Sequence, residues 1–409
     1  MFGAAPDRGM NDMHDVSDSV GTAARTGGRA SVLAVAAGTF TVVTAEMMPV
    51  GLLTPIGASL DVGAGTAGWT LTVTGLVAAA SAPFVPRAAG RTDRRTALIV
   101  LMLLLAAANL LAALAPNFAV LLAARVLVGL GMGGVWALAA GLAPRLVPPG
   151  SAGAATSLIF GGIAAASVLG VPAGAFVEAL VGWRAAFAVV AGLAAAVALA
   201  MAALLPRLPA AGRTSGARTA RRVWGRPAVA TGLAVTVLLV TGHFAAYTFV
   251  RPVLEDTAGL GAGAVGTLLL LYGLAGVAGN FAAGLRAPHA PRATLAVLAA
   301  GLAGAVVLVP VLGTTHAGAS VLMVVWGLAY GGVSVGVQTW LLASAPDDPE
   351  RVTALFVGVF NGGIALGAFA GGLVADGAGT GPLMVLAAAL AAAALAVTLA
   401  APARPGARH

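Results

Sequence analysis

Glu46 stands in the stretch TVVTAEMMPVGLLTPIG (41–57), which is otherwise uncharged, with no basic residue near it. A charged side chain inside an apolar helix is costly, and where it persists it marks a working group by default. Arg125, in LLAARVLVGLGMGGVWALAAG, is a second such group. At helical rise Glu46 lies about 15 residues, roughly 22 Å, into its apolar segment, and Arg125 about 7 residues, roughly 10 Å, into another that enters from the opposite side. The two therefore reach similar depth on different helices. A buried carboxylate and guanidinium either form a static pair that ties helices together or serve as a proton site. In the second case the carboxylate holds its proton differently in an apolar setting and beside the arginine, and alternation between the two couples proton movement to another event. Glu46 and Arg125 are accordingly read as the proton-coupling residues.

Helical spacing groups further residues. Arg125, Met132 and Trp136 are 7 and 11 apart and share a face. Trp326, Tyr330, Val337 and Trp340 form a stripe at 4, 11 and 14, and His243 and Tyr247 are four apart, with Arg251 one turn beyond. Aromatic rings near span ends belong to interfacial belts, and Trp340 is read that way. Trp136, Trp326 and Tyr330 lie away from the ends, where they either line a cavity or pack inside. His243 either titrates near neutrality or is hydrogen-bonded to a neighbouring helix. Gln338 and Asn361 either face the same cavity or link helices. Together Met132, Trp136, His243, Tyr247, Trp326, Tyr330, Gln338 and Asn361 make the candidate cavity lining. Aromatic walls with a few polar groups suit a flat, partly polar organic solute. Pro172, between glycines in LGVPAGAF, is a candidate hinge.

These residues need long apolar elements to carry them. The 409-residue chain is 59% hydrophobic and only 9% charged, against about 25% charged for a soluble domain. It cannot coat a soluble globule, so an all-α polytopic membrane protein is expected. Stretches of about 20 apolar residues fall near 31–54, 68–88, 96–115, 118–142, 152–177, 185–206, 228–251, 262–284, 292–313, 316–343, 352–375 and 381–402, twelve transmembrane helices in all. Cysteine is absent, which excludes disulfides and thiolate chemistry, and every basic residue is arginine, which excludes a Walker-type lysine. The five histidines lack metal-ligand spacing and no Ser-His-Asp group assembles, so neither an enzyme nor a cofactor is expected.

The loops set the orientation. Arg87, Arg91, Arg94, Arg95, Arg145, the arginines of 207–226, Arg286 and Arg292 lie on one side; Asp61, Glu178, Glu255, Asp256 and Asp376 lie on the other. Arginine-rich short loops stay in the cytoplasm, which puts both termini there. The net charge of +8 thus reports topology rather than nucleic-acid binding. The expected layout is a disordered cytoplasmic tail (1–30), a six-helix bundle (31–206), a basic cytoplasmic linker (207–227), a second six-helix bundle (228–402) and a short tail (403–409). The bundles repeat one another: GAGTAGWTLTVTGL (63–76) parallels GAGAVGTLLLLYGL (261–274), and GLGMGGV (129–135) parallels GLAYGGV (327–333), both at an offset of 198. An even number of spans separates equivalent points, so the pseudo-twofold axis runs along the membrane normal.

The segment TAEMMPVGLLTPIGASL resembles the first-span signature of the drug:proton antiporter-1 division of the major facilitator superfamily. Within that division GRTDRR, RVLVGLGMGGVWALAAGLAPRLVPP, GWRAAF, YTFVRPV and VVWGLAYGGVSVGVQTW are similar to bacterial purine ribonucleoside efflux pumps, a likeness that covers nearly everything after residue 30. The resemblance implies a monomer in the bacterial inner membrane that exports a small solute in exchange for protons. It places the family's embedded acidic residue on Glu46 and its fourth-span arginine on Arg125. The family's gating loop maps onto PRAAGRTDRR, where Arg91, Arg94 and Arg95 match while Gly90 replaces an aspartate and Asp93 a glycine. Neighbouring subfamilies export sugars or drugs such as chloramphenicol. A receptor that keeps the fold without transport, and a uniporter, are the other classes.

Overall fold

The structure, a computed structural model, describes residues 9–81, 84, 90, 92–139, 142–209 and 226–401, with side chains from Gly28 onward apart from Ala137, Ala139, Pro144, Pro149 and Glu350. Arg91, most of the linker expected at 207–227 and the tail expected at 403–409 lie outside this set. The described residues form helices and turns with no strand. The first helix starts at Gly9, within the segment read from sequence as a disordered tail, and runs to Met47. A 3-10 turn, Met48–Leu52, and a short helix, Leu53–Leu60, complete the first span.

Then come the second span Ala64–Ser81, third Arg94–Ala113, fourth Phe118–Ala139, fifth Ala152–Val181 and sixth Trp183–Leu204. The seventh, Pro227–Tyr247, continues outward as Val250–Ala258. The eighth is Ala262–Arg286 and the ninth Pro291–Leu312; the tenth is split into His316–Gly331 and Val333–Ser344. The eleventh, Pro349–Ala378, and the twelfth, Thr380–Ala400, end the described chain.

Eleven of these are long and apolar enough to cross a membrane. The second span falls short because threonines and glycines dilute its 18 residues. Its position is nonetheless that of a span, since it packs against the fourth and the eleventh. Thr70 and Thr74 donate their hydroxyls to the carbonyls of Ala67 and Thr70, within the helix, while the buried Thr72 hydroxyl has no partner.

Helix pairing repeats between the halves. Spans one and five, two and four, and three and six pack together, and so do seven and eleven, eight and ten, and nine and twelve. Across the halves the second span meets the eleventh and the fifth meets the eighth. The turns repeat as well: Gly182 (φ 89°) joins spans five and six, and Gly379 (φ 88°) joins eleven and twelve. A positive φ reverses the chain in one residue, which suits glycine.

The repeated glycines are what let the helices approach. A Cβ on Gly129 would sit 2.7 Å from the Thr74 carbonyl oxygen, and one on Gly327 only 2.2 Å from that of Tyr272. All four residues are related by the offset of 198. Gly68 and Gly266, a further equivalent pair, face Phe249 and Phe176 of the opposite half. In lipid, helix association rests on such close packing. Gly327→Val should therefore force the tenth span off the eighth at a cost of about 1–3 kcal/mol or more, seen as a lower thermal unfolding midpoint. Gly304→Ala, which adds a methyl where no atom lies within 4 Å, should leave the midpoint unchanged or raise it.

Candidate functional site

Pro49 sits at the start of the 3-10 turn that interrupts the first span, and Glu46 precedes it in the last helical turn. Glu46 is 5% exposed and its Oε1 has no hydrogen-bond partner. Arg125 is fully buried on the fourth span. Its guanidinium does not reach the Glu46 carboxylate, and no N–O pair between the two lies within 4.0 Å. It donates instead to main-chain carbonyls: Nη1 to Ala45 at 2.8 Å, Nη2 to Glu46 at 3.1 Å and Nε to Thr70 at 3.1 Å. The expected depth match is thus present, while the carboxylate–guanidinium contact is replaced by a cap on the broken helix. Met132 is buried on the same helix and Trp136 is half-buried.

In the second half the aromatic residues converge on His243. Its ring lies face to face with Tyr330 and Tyr247, and Phe244 and Trp326 meet it edge-on. Trp326 Nε1 donates to Nδ1 at 3.0 Å. The indole nitrogen is a donor only, so Nδ1 carries no hydrogen in this arrangement and the ring hydrogen sits on Nε2, 3.4 Å from the Tyr272 hydroxyl. His243 is thus hydrogen-bonded to a neighbouring helix, the tenth span.

Trp326, His243, Tyr247 and Tyr272 are buried within the cluster, whereas Tyr330, whose hydroxyl lacks a partner, is half-buried. Tyr272 was not singled out from sequence; its segment, GAGAVGTLLLLYGL, served there only as evidence of the repeat.

Other expectations resolve differently. Trp340 is not an interfacial ring: it is buried and its Nε1 donates to the Ala228 carbonyl of the seventh span at 2.9 Å. The split at Gly331–Gly332 also takes Val337 and Trp340 off the helix that carries Trp326 and Tyr330. Gln338 and Asn361 are half-buried, and Asn361 Nδ2 bonds the Val357 carbonyl of its own helix. Pro172 is buried within a fifth span that stays helical from Ala152 to Val181. A groove between the eighth, ninth and tenth spans, with Gly279, Arg286, Thr294 and Gly301 in its lining, contains none of the expected cavity residues.

At the arginine-rich end Asp93 caps the third span by accepting from Arg95 N (2.8 Å), and its other oxygen accepts from Leu208 N (2.7 Å). Arg95 donates to the Ala202 carbonyl, while Arg94 Nη1 is buried without a partner. These groups fasten the first half to the beginning of the linker. Among the described residues they make no bond to the second half.

The opposite end is closed. Arg251 Nη1 bonds both the Glu178 carboxylate of the fifth span (2.7 Å) and the Gly51 carbonyl of the first (2.6 Å), while its Nε bonds Glu255 (2.7 Å). Glu255 also accepts from the Thr54 hydroxyl at 2.5 Å. Asp376, at the end of the eleventh span, accepts from Gly65 N (2.7 Å) and Thr66 N (2.9 Å) at the start of the second. Every hydrogen bond between the halves that joins two described residues lies at this end. From sequence these acidic residues served only as markers of sidedness; the signal for the closure was their grouping with Arg251 on one side.

Among the described residues, twelve spans form two pseudo-symmetric halves bonded to one another at one end, and Glu46 is buried in the first of them. The chain belongs to the Major Facilitator Superfamily, whose profile matches residues 35–356. It is a multi-pass, non-enzymatic transporter. A chloramphenicol efflux pump of Mycobacterium tuberculosis is 36% identical over 84% of this chain and 85% of its own. A protein of Pseudomonas aeruginosa named transcription regulatory protein OpdE is 33% identical over 87% and 89%. The purine ribonucleoside efflux pump NepI of Escherichia coli is 32% identical over 83% and 86%. Among solved structures, a bacterial homologue of the human lysosomal transporter Spinster superposes with a TM-score of 0.72 at 16% identity, covering 91% of this chain and 96% of its own.

Removing one partner of a buried ion pair costs about 3–5 kcal/mol. Arg251→Ala should accordingly loosen the closed end. Ala67→Cys, a buried position on the second span in a chain without native cysteine, should react with an impermeant thiol reagent at least about tenfold faster when Arg251 is lost. Equal rates with and without Arg251 would rule this closure out.

Proposed function

We propose that this transporter is a proton-coupled exporter of the bacterial inner membrane, with both termini in the cytoplasm. It exchanges protons for a small, flat, partly polar solute, of which purine nucleosides or their analogues are the leading class. The observation that carries the reading is Glu46: a buried carboxylate in a spanning helix, with an oxygen left unpartnered. A group so placed can take up a proton when its surroundings are apolar and release it when the halves rock and water or solute arrives. Arginine-rich loops mark the cytoplasmic side, so bonding at the other end makes this an inward-facing arrangement.

The solute class rests on two supports. Aromatic residues gather on the second half, with Tyr330 at the half-buried edge of the cluster and its buried hydroxyl without a hydrogen-bond partner. Stacking with a planar base and one or two directed hydrogen bonds is what such an edge offers. The second support is the relative named a purine ribonucleoside efflux pump. A relative named a chloramphenicol pump, at slightly higher identity, favours a drug-type aromatic solute as the second reading. Both solutes carry a flat ring and a polar arm.

Purified protein in liposomes with an imposed pH gradient tests both parts. Inosine or guanosine movement should depend on the gradient, and Glu46→Gln should abolish that dependence while the protein remains folded. Unaltered proton-driven movement in Glu46→Gln would remove the carboxylate from the mechanism. Response to chloramphenicol or arabinose alone would replace the nucleoside reading, and binding without any movement would favour a receptor.

A further inference from the structure

We propose that Arg125 is a positioning residue whose guanidinium takes the place of the amide hydrogen that Pro49 lacks. In an α-helix the amide of residue 49 would serve the carbonyl of Ala45, four residues back. In a 3-10 turn, which is what begins at Met48, it would serve the carbonyl of Glu46, three residues back. Proline supplies neither bond. These are the two carbonyls to which the terminal nitrogens of Arg125 donate, at 2.8 and 3.1 Å. Both residues are buried, so water is not at hand to answer either oxygen.

The chemistry of the side chain fits this duty. A planar guanidinium presents paired donors in a fixed fork, which can serve two neighbouring carbonyls at once. The third donor, Nε, bonds Thr70 on the second span, and the Arg125 carbonyl in turn accepts from the Thr74 hydroxyl at 3.3 Å. The fork is thereby aimed from a rigid seat. Its consequence is positional. The break in the first span stays where it is, Glu46 keeps its place at the end of the helix, and the Gly51 carbonyl in the same turn is free to accept from Arg251. The assignment does not depend on what is transported or on whether protons drive it.

The test is a double-substitution cycle on the full chain, read by thermal unfolding and by thiol labelling. Met47→Cys, beside Glu46, reports the local position against a background free of native cysteine. Arg125→Ala should lower the unfolding midpoint and change the labelling rate of Met47→Cys at least about tenfold. Adding Pro49→Ala, which restores the amide hydrogen, should return both toward the native values. Arg125→Lys, with no fork, should restore them only in part. If Arg125→Ala does not fold, recovery of folded protein in Arg125→Ala with Pro49→Ala supports the assignment, and failure of both overturns it. Additive changes in unfolding midpoint, or a labelling change that Pro49→Ala leaves in place, also overturn it.

Discussion

A main chain inside a bilayer has no water to turn to, so each carbonyl freed from a helix must find a donor within the protein. The first span is where this constraint bites. Pro49 interrupts it, and the turn Met48–Leu52 is buried along its whole length. Two arginines answer its open carbonyls. Arg125 comes from the same half and takes those of Ala45 and Glu46; Arg251 comes from the other half and takes that of Gly51. One short turn therefore joins the buried carboxylate to the contact that holds the halves together. Arg125 holds the carbonyls of the two residues that lead into the turn, and Arg251 holds one inside it.

The rest of the bundle is built so that rigid halves can meet and part. Glycines at equivalent places in the repeat bring spans two and four, and eight and ten, to backbone contact within each half. Further equivalent glycines, Gly68 with Gly266 and Gly75 with Gly273, meet the opposite half. The inner faces pack through these glycines, and the hydrogen bonds between halves that join two described residues lie at one end. Such faces with bonds at an end suit rigid-body rocking, because a handful of polar contacts then sets which end is shut. Arg251 with its carboxylates, and Asp376 at the amides of Gly65 and Thr66, are those contacts here.

Much of this was legible in the sequence because the bilayer demands it. Span number and the parallel repeat follow from apolar length, arginine asymmetry and a shared offset. The second span was read as an apolar stretch at 68–88, although threonines and glycines dilute the hydropathy of the helix Ala64–Ser81. Side-chain direction was less accessible. Depth along a helix placed Glu46 and Arg125 together, but only the fold reveals that the guanidinium donates to carbonyls at the Pro49 break and makes no hydrogen bond to the carboxylate. Trp340 was misread for a similar reason: nearness to a span end does not say whether a ring faces lipid or, as it does, the seventh span. Asp93 is a helix cap and linker anchor, a local role that spacing against a family motif cannot separate from gating.

The aromatic cluster bears on how one scaffold can serve relatives named for unlike solutes. Most of its rings are spent on one another: Trp326 bonds His243, Tyr247 stacks on both His243 and Tyr272, and little of their surface is open. Tyr330, Trp136, Gln338 and Asn361 are only half-buried, and on the proposed reading these are the residues left for a solute. A rigid aromatic floor accepts any flat ring, since stacking reads shape and area more than identity. Discrimination then falls to a few exposed polar groups at the rim, where a site that must hydrogen-bond a hydroxyl or amine rejects a solute lacking it far more strongly than an apolar wall can. On that reading, substitution at such rim positions would alter the solute while the core, the glycine faces and the Pro49 turn stay fixed. On this view specificity in the family diverges through a small number of half-buried residues, and the buried cluster beneath them serves as the platform that keeps those residues in place.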